Sequence, residues 1–298
     1  EIAIAEYLRQ LGKQVHIINN SAIPLNYRFL DENGEIDIFD EKKHAELLAA
    51  VDVFFILDIS DWGRLMSMNE IVKKSTATKV CIDHHQIDYQ FADIDVIYEA
   101  ASSTGELIFE FLKRVNFQLN QKIAIALYTC ILTDTGSFRF SNTTSQTHAV
   151  ASELMKYDID IKKIHTLVYE QNSKAKLALM GEALMNLHYD CNGQLAWFAL
   201  NKAMFKKHQA SYDDTEGFPE IPRTIEGVEV GLMFAEIKQN KVKISLRSKG
   251  KIVINQIAQK FGGGGHNFAS GAQVEMTLEK VIPLVLDEIR RVINSVQD

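Results

Sequence analysis

Two continuous apolar runs, VDVFFIL (51–57) and KVCI (79–82), constrain this chain most, because each breaks off directly into groups that bind protons or metals. The first runs into Asp58 of LDISD, the second into Asp83, His84 and His85 of IDHHQ. Apolar runs without polar alternation are what a parallel sheet buried on both faces requires. In open sheets of that kind ligands bind beyond the carboxyl ends of the strands, so Asp58, His84 and His85 are expected on one rim. A third carboxylate, Asp134, closes the apolar helix pattern of LYTCILTD. Carboxylate and imidazole together are the ligand mix of Mn²⁺ or a similar divalent ion. Each acid also has a plainer reading when taken singly: Asp58 can cap a turn, and TDTG is turn-like in itself.

The surrounding pattern alternates strands and helices. EIAIAEYLRQLGK carries Ile4, Tyr7, Leu8 and Leu11 at helical spacing from the first residue, with neither cap nor initiator Met, so a strand and its βα loop are expected upstream. Helical patterns follow over 106–115, 121–132, 145–156 and roughly 173–187. These describe a doubly wound α/β domain over 1–165 and a helical connector over 166–184. From 185 to 298 the grain changes. GQLAWFAL, VEVGLMFAEI and KVKISLRS read as strands, with KQN as a tight turn, and VINQIAQKF and LEKVIPLVLDEIRRVI read as helices, giving a second, smaller α/β domain. A length of 298 residues suits two domains, since single cores stop growing at about 250 residues.

Composition narrows the class. A chain that is 46% hydrophobic and 24% charged with 4 Pro is globular, and no apolar run approaches the roughly 18 residues of a membrane span, so a cytoplasmic protein without a membrane partner is expected. Cys81, Cys130 and Cys191 are odd in number and lie inside apolar segments, as reduced core thiols do. The net charge of -7 argues against a protein that coats long nucleic acid. Residues 206–260 nonetheless hold ten Lys and Arg against seven Asp and Glu, enough to retain a small anion.

Three further stretches bear on ligands. In AASSTGELIFEFL, Ser103 stands three residues before Glu106, which is capping-box spacing, and the start of a helix also attracts phosphate. KFGGGGHNFASG places Gly262, Gly263, Gly264 and Gly265 between a helix and a strand with His266 behind them, a context in which backbone can approach an anion closely. Arg247, on the alternating strand ISLRS, is either part of a solvated face or a bidentate phosphate contact.

LDISD, IDHH, SSTGELI, TDTGSFRFS, SLRS and FGGGGHNFASG occur here in the order and spacing of the DHH-family phosphoesterases that carry the DHH-associated C-terminal domain, and the chain resembles most their nanoRNase and pAp phosphatase branch. The resemblance runs over essentially the whole chain. It implies that Asp58 bridges two divalent cations, Mn²⁺ by expectation, with His84 and Asp134 as further ligands. It puts Asp83 behind His84 as an orienting group and His85 against the scissile phosphate or the leaving oxygen. It assigns Arg247, His266 and the Gly262 to Gly265 backbone to a grip on the substrate's other phosphate, with Asn255 and Arg139 as further candidates and the active cleft between the domains. The family's first motif, His-x-x-x-Asp-x-Asp, does not occur in these residues. Three ligands do not fill two metal sites, so the motif is expected upstream.

The implied activity is two-metal hydrolysis of short single-stranded RNA or DNA oligonucleotides to mononucleotides, and of 3′-phosphoadenosine 5′-phosphate (pAp) to AMP. Hydrolysis of cyclic di-AMP or its linear product pApA stays open, as does a nucleotide-binding protein without catalysis. A monomer and a homodimer are equally compatible with the sequence.

Overall fold

The computed structural model describes residues 1–87 and 89–297, and its chain divides into two compact units, Glu1–Gln171 and a second beginning at Asn172. The first unit runs α1 (Ile2–Gln10), β1 (Ile17–Asn19), β2 (Ile36–Ile38), α2 (Glu41–Ala50), β3 (Val53–Leu57), α3 (Asn69–Lys74), β4 (Thr78–Asp83), β5 (Ile94–Ile97), α4 (Thr104–Arg114), α5 (Gln121–Asp134), α6 (Ser145–Met155) and α7 (Ile161–Tyr169). Its strands are all parallel, in a β1-β2 pair and a three-stranded β3-β4-β5 sheet. The continuous apolar runs have the cause read from sequence. Leu57, Val80 and Ile82 pack into one core with α1, α4 and α5, while Ile56 and Cys81 face a second core with Leu65, Met68 and Val72.

Helices α4 and α5 bring Thr104 and Asp134 to this sheet, and their approach is close because Gly105 carries no side chain. A Cβ there would lie 2.9 Å from both Cβ and Sγ of Cys130 on α5. Ser103 caps α4, its hydroxyl accepting the Glu106 N–H at 3.2 Å. The Glu106 carboxylate turns back to Ser102, accepting from its N–H at 3.2 Å and its hydroxyl at 2.5 Å, and also takes the Thr147 hydroxyl at 3.2 Å.

The second unit comprises α8 (Lys174–Met185), β6 (His188–Asp190), β7 (Leu195–Leu200), α9 (Lys202–His208), β8 (Val230–Lys238), β9 (Lys241–Ser248), α10 (Asn255–Lys260), β10 (Gly264–His266), β11 (Ala269–Val274) and α11 (Leu278–Gln297). Its six-stranded sheet runs in the order β10-β11-β9-β8-β7-β6, antiparallel except for β7 against β8. One face buries Leu232, Phe234, Ile244 and Leu246 under α10 and α11. The other packs Phe198, Met233 and Ala235 against Leu179 of α8, Met204 of α9 and Phe218. The helix α8, which falls largely within the segment read as a connector, thus belongs to this second core. The cysteines are all free thiols, and no helix among the described residues is long and apolar enough to cross a membrane.

Gly105→Ala is expected to force α4 off α5 and lower stability by about 1–3 kcal/mol, the usual range for an overpacked contact. Urea unfolding of both proteins measures this; an unchanged midpoint would show that the helices do not need the close approach.

Candidate metal and phosphoester site

Asp58, Asp83, His84 and His85 come together where β3 and β4 end, with donor atoms all within 4.8 Å of one another. Asp58 follows β3 directly and takes a left-handed backbone, φ 61°, which Asp tolerates better than most residues. Its N–H is anchored on the Ile82 carbonyl at 3.0 Å, and its Oδ1 accepts the Thr104 hydroxyl at 2.8 Å. Thr104 was not singled out from sequence, although it sits beside Ser103 in the quoted SSTGE run. Ser103 itself is fully buried and its hydroxyl is taken by the cap, so its side chain is not placed to meet a ligand.

Asp83 has no exposed surface. Its Oδ1 accepts the backbone N–H of His84 at 2.7 Å, that of His85 at 3.0 Å, and the Nδ1–H of the His85 ring at 2.7 Å. Asp83 thus meets His84 through its backbone N–H, while the imidazole it holds is that of His85, which the turn after β4 folds back over the carboxylate. His84 is held by the Ala101 carbonyl, 3.2 Å from its Nδ1. A carbonyl can only accept, so Nδ1 carries a proton, and in the neutral ring Nε2 is the nitrogen that holds the lone pair.

That lone pair points at anions. His84 Nε2 lies 3.6 Å from Asp58 Oδ1 and 3.7 Å from Asp134 Oδ2, and His85 Nδ1 lies 3.8 Å from the same Asp58 oxygen. These separations are too long for hydrogen bonds, and they gather the Asp58 and Asp134 carboxylates around His84 Nε2, an arrangement that a cation between them relieves. Asp134, the last residue of α5, completes the set.

Electrostatics agree with the geometry. Burial, then repulsion from Asp58, pushes the Asp134 carboxyl up to about 6, against the opposing pull of His84 and His85. Burial would also raise Asp83, but the hydrogen bonds from the His85 ring and backbone and from Ser60 outweigh it and hold this carboxyl well below the usual range. The bond to Asp83 raises His85, with burial and Arg64 opposing. Burial drives the Cys81 and Cys130 thiols up to about 12, with Asp83 and Asp134 respectively adding to it, so neither offers a thiolate near neutral pH. The donor set, two carboxylates facing an imidazole lone pair, fits a divalent cation of the Mn²⁺ or Mg²⁺ kind.

Arg139 is exposed and follows the left-handed residues Gly136, Ser137 and Phe138 beyond Asp134, its Nε donating to the Gly136 carbonyl at 2.7 Å. The other expected contacts are in the second unit. Sheet register sets His266 opposite Ala269, Ala269 opposite Arg247, and Arg247 opposite Gly231, so these four residues form one row across β10, β11, β9 and β8. Cross-strand partners share a face of the sheet, and here the floor between His266 and Arg247 is a single methyl group. The glycine run builds the adjoining hairpin. A Cβ on Gly263 would come 2.1 Å from the Gly271 carbonyl, and one on Gly265, at φ 135°, would come 2.7 Å from the Ala269 carbonyl. Gly262 sits in the turn before β10, and Gly264 meets nothing within 4 Å, so the hairpin gives no steric reason for its missing side chain. Asn255 opens α10, with a buried Oδ1 that has no hydrogen-bond partner among the described residues.

A parallel sheet whose rim carries a carboxylate and imidazole cluster is joined here, in one chain, to a mixed sheet with a basic row, the combination found in two-domain phosphoesterases. Residues 1–133 match the DHH family N-terminal domain and residues 198–295 the DHHA1 domain. The chain belongs to the DHH phosphoesterase family. It is 34% identical over 238 residues to the probable bifunctional oligoribonuclease and PAP phosphatase NrnA of Streptococcus mutans, covering 79% of this chain and 72% of that protein. It is 30% and 32% identical to the bifunctional oligoribonuclease and PAP phosphatase NrnA of Thermus thermophilus and of Bacillus subtilis, covering 70% and 67% of this chain and 64% of each of those proteins. The chain thus spans about two thirds of the length of these relatives. An exopolyphosphatase-related protein from Bacteroides fragilis has the same fold, with a TM-score of 0.92 at 30% identity over 100% of this chain and 88% of that one.

The raised Asp134 fixes a sign. A carboxyl whose folded pKa lies above its unfolded value destabilises the fold once pH has risen through the window between them, here from 3.8 to about 6. In chelator, Asp134→Asn is therefore expected to stabilise the protein by about 3 kcal/mol at pH 7 and to leave it nearly unchanged near pH 4. Urea titrations at the two pH values decide, and an equal effect at both would refute the assignment. Because the ligand form is the carboxylate, Mn²⁺ affinity measured by calorimetry should fall as pH drops below about 6.

Proposed function

We propose that this protein is a metal-dependent phosphoesterase that acts in the cytoplasm, hydrolysing short oligonucleotides to mononucleotides and pAp to AMP. The observation that carries the reading is His84 Nε2 lying 3.6 and 3.7 Å from the Asp58 and Asp134 carboxylates. Asp58, His84 and Asp134 would hold divalent cations, Mn²⁺ being the best match to their donors. Bound ions of this kind lower the pKa of water and offset charge on a phosphoryl group.

The chain's own residues supply the rest. Thr104 fixes one oxygen of Asp58 and so limits how that carboxylate turns. The Ala101 carbonyl keeps His84 in the tautomer that offers Nε2. Asp83 binds the Nδ1–H of His85 and favours the imidazolium, which can donate a proton through its opposite ring nitrogen to the leaving oxygen as the P–O bond breaks. In the second unit Arg247, with His266 two strands away in its row, would grip another phosphate of the substrate, a task suited to guanidinium. The names of the relatives from Streptococcus, Thermus and Bacillus support this substrate range. The net charge of -7 favours short ligands over long nucleic acid.

The full-length protein with Mn²⁺ is expected to release phosphate from pAp and mononucleotides from RNA of two to five residues, and to lose both activities in chelator. His85→Ala should lower kcat by about 10²–10⁴ with little change in KM, the usual contribution of a positioned proton donor. Turnover of neither substrate in Mn²⁺ would sink the proposal; turnover of pApA or cyclic di-AMP alone would replace its substrate.

A further inference from the structure

Two arginines in the second unit share one carboxylate. Glu220, which ends the 3₁₀ turn Phe218–Glu220, accepts from Arg223 Nε at 2.6 Å through Oε2 and from Arg247 Nε through Oε1. Arg247 Nη1 is also tied to the Leu246 carbonyl at 2.9 Å. Each guanidinium thus spends its Nε edge on the protein. Among the described residues the Nη groups of Arg223 make no hydrogen bond, and the Arg223 and Arg247 side chains are 33% and 24% exposed.

Arg223 reaches this position because strand β8 carries glycine beneath it. A Cβ on Gly231 would stand 2.9 Å from the Arg223 backbone nitrogen and 3.0 Å from Pro222, so only glycine lets the chain lie flat on the sheet there. Gly231 is the register partner of Arg247. The row that begins at His266 and passes Ala269 and Arg247 therefore ends under Arg223, a residue its sequence position does not connect to the others.

Two guanidiniums beside one carboxylate leave an excess positive charge. Burial would raise the Glu220 carboxyl, but Arg247 and then Arg223 hold it below its ordinary value, so it stays ionised and each arginine keeps its Nε contact. An ion pair needs one arginine; the second adds repulsion that a further anion offsets. A phosphomonoester, with about two charges and three acceptor oxygens, suits a pair of guanidiniums better than a singly charged diester.

We propose that Glu220 is a positioning residue that sets Arg223 beside Arg247, and that Arg223 contacts substrate, so that the second unit selects ligands ending in a phosphomonoester. This rests on the reading above that Arg247 meets a substrate phosphate. It goes beyond that reading by adding Arg223, by giving Glu220 a role, and by naming the terminal group selected.

The test uses full-length protein. In chelator, where nothing turns over, binding of AMP and of adenosine is measured by calorimetry for the parent and for Arg223→Ala, Arg223→Lys and Glu220→Gln. Arg223→Ala is expected to weaken AMP by about tenfold or more, as loss of a charge-assisted contact does, and to leave adenosine unchanged. Arg223→Lys should recover part of the loss, and Glu220→Gln should weaken AMP alone. With Mn²⁺, Arg223→Ala should raise KM for pAp about tenfold at constant kcat and leave KM unchanged for a dinucleoside monophosphate without a terminal phosphate. Unchanged AMP affinity and KM in Arg223→Ala, or equal weakening of AMP and adenosine, would overturn the clamp. Arg223-dependent AMP binding in a protein that hydrolyses nothing would keep the clamp and reject the hydrolase; hydrolysis indifferent to Arg223 would do the reverse.

Discussion

A carboxylate with no exposed surface ends strand β4, and the rim of the first unit is organised around it. Asp83 gathers two successive backbone N–H groups and one imidazole onto a single oxygen. Buried anions are tolerated when they are hydrogen-bonded; here Oδ1 takes all three donors, which are the residues whose placement matters, while the buried Oδ2 has no partner at ordinary hydrogen-bond geometry among the described residues. The turn after β4 cannot relax without exposing that charge to an apolar core, so the positions of His84 and His85 are bound to the stability of the sheet itself. Preorganisation of this kind removes the need to order either ring when a ligand arrives.

The opposing carboxylates work in the other direction. Asp58 and Asp134 are held near one imidazole lone pair, with Asp134 raised by burial and by its neighbour, so the cluster lowers the stability of the ligand-free fold near neutral pH. The close packing of α4 on α5 at Gly105, and the Thr104 contact to Asp58, keep the acids from moving apart. Affinity for a cation and cost to the fold are here the same repulsion seen with and without its counter-charge.

Much of this was legible in the sequence, and the limits have physical causes. The apolar runs of β3 and β4 and the long helix α5 are long enough for pattern to identify, so Asp58, His84, His85 and Asp134 could be placed at element ends. β2 and β5, of three and four residues, are too short for periodicity to register and were missed, as was the helix α2. Thr104 and the Ala101 carbonyl escaped notice because a hydroxyl beside a helix cap and a main-chain oxygen carry no spacing signal. The contact of Asp83 with the His85 ring was missed for a related reason: adjacency in IDHH does not say which ring a turn folds back. Glu220 and Arg223 lie 27 and 24 positions from Arg247, and only the register of β8 against β9 brings them to it. The glycine run was read as an anion-facing backbone, whereas at Gly263 and Gly265 the close approach of β11 already requires glycine.

The row from His266 through Ala269 and Arg247 to Gly231 has a further implication for how such a protein can change. Neighbouring strands stand about 4.8 Å apart, and residues on one face recur about 6.7 Å along a strand. Positions on the row are consequently quantised: a contact can hop to the next strand or two residues along its own, but cannot creep by half an ångström. Fine adjustment is left to side-chain length, to Arg against Lys, His against Gln, or to the 3₁₀ turns that carry Glu220 and Arg223 outside the lattice of the sheet. Divergence among relatives sharing this scaffold should then be stepwise in the sheet and gradual only in those turns.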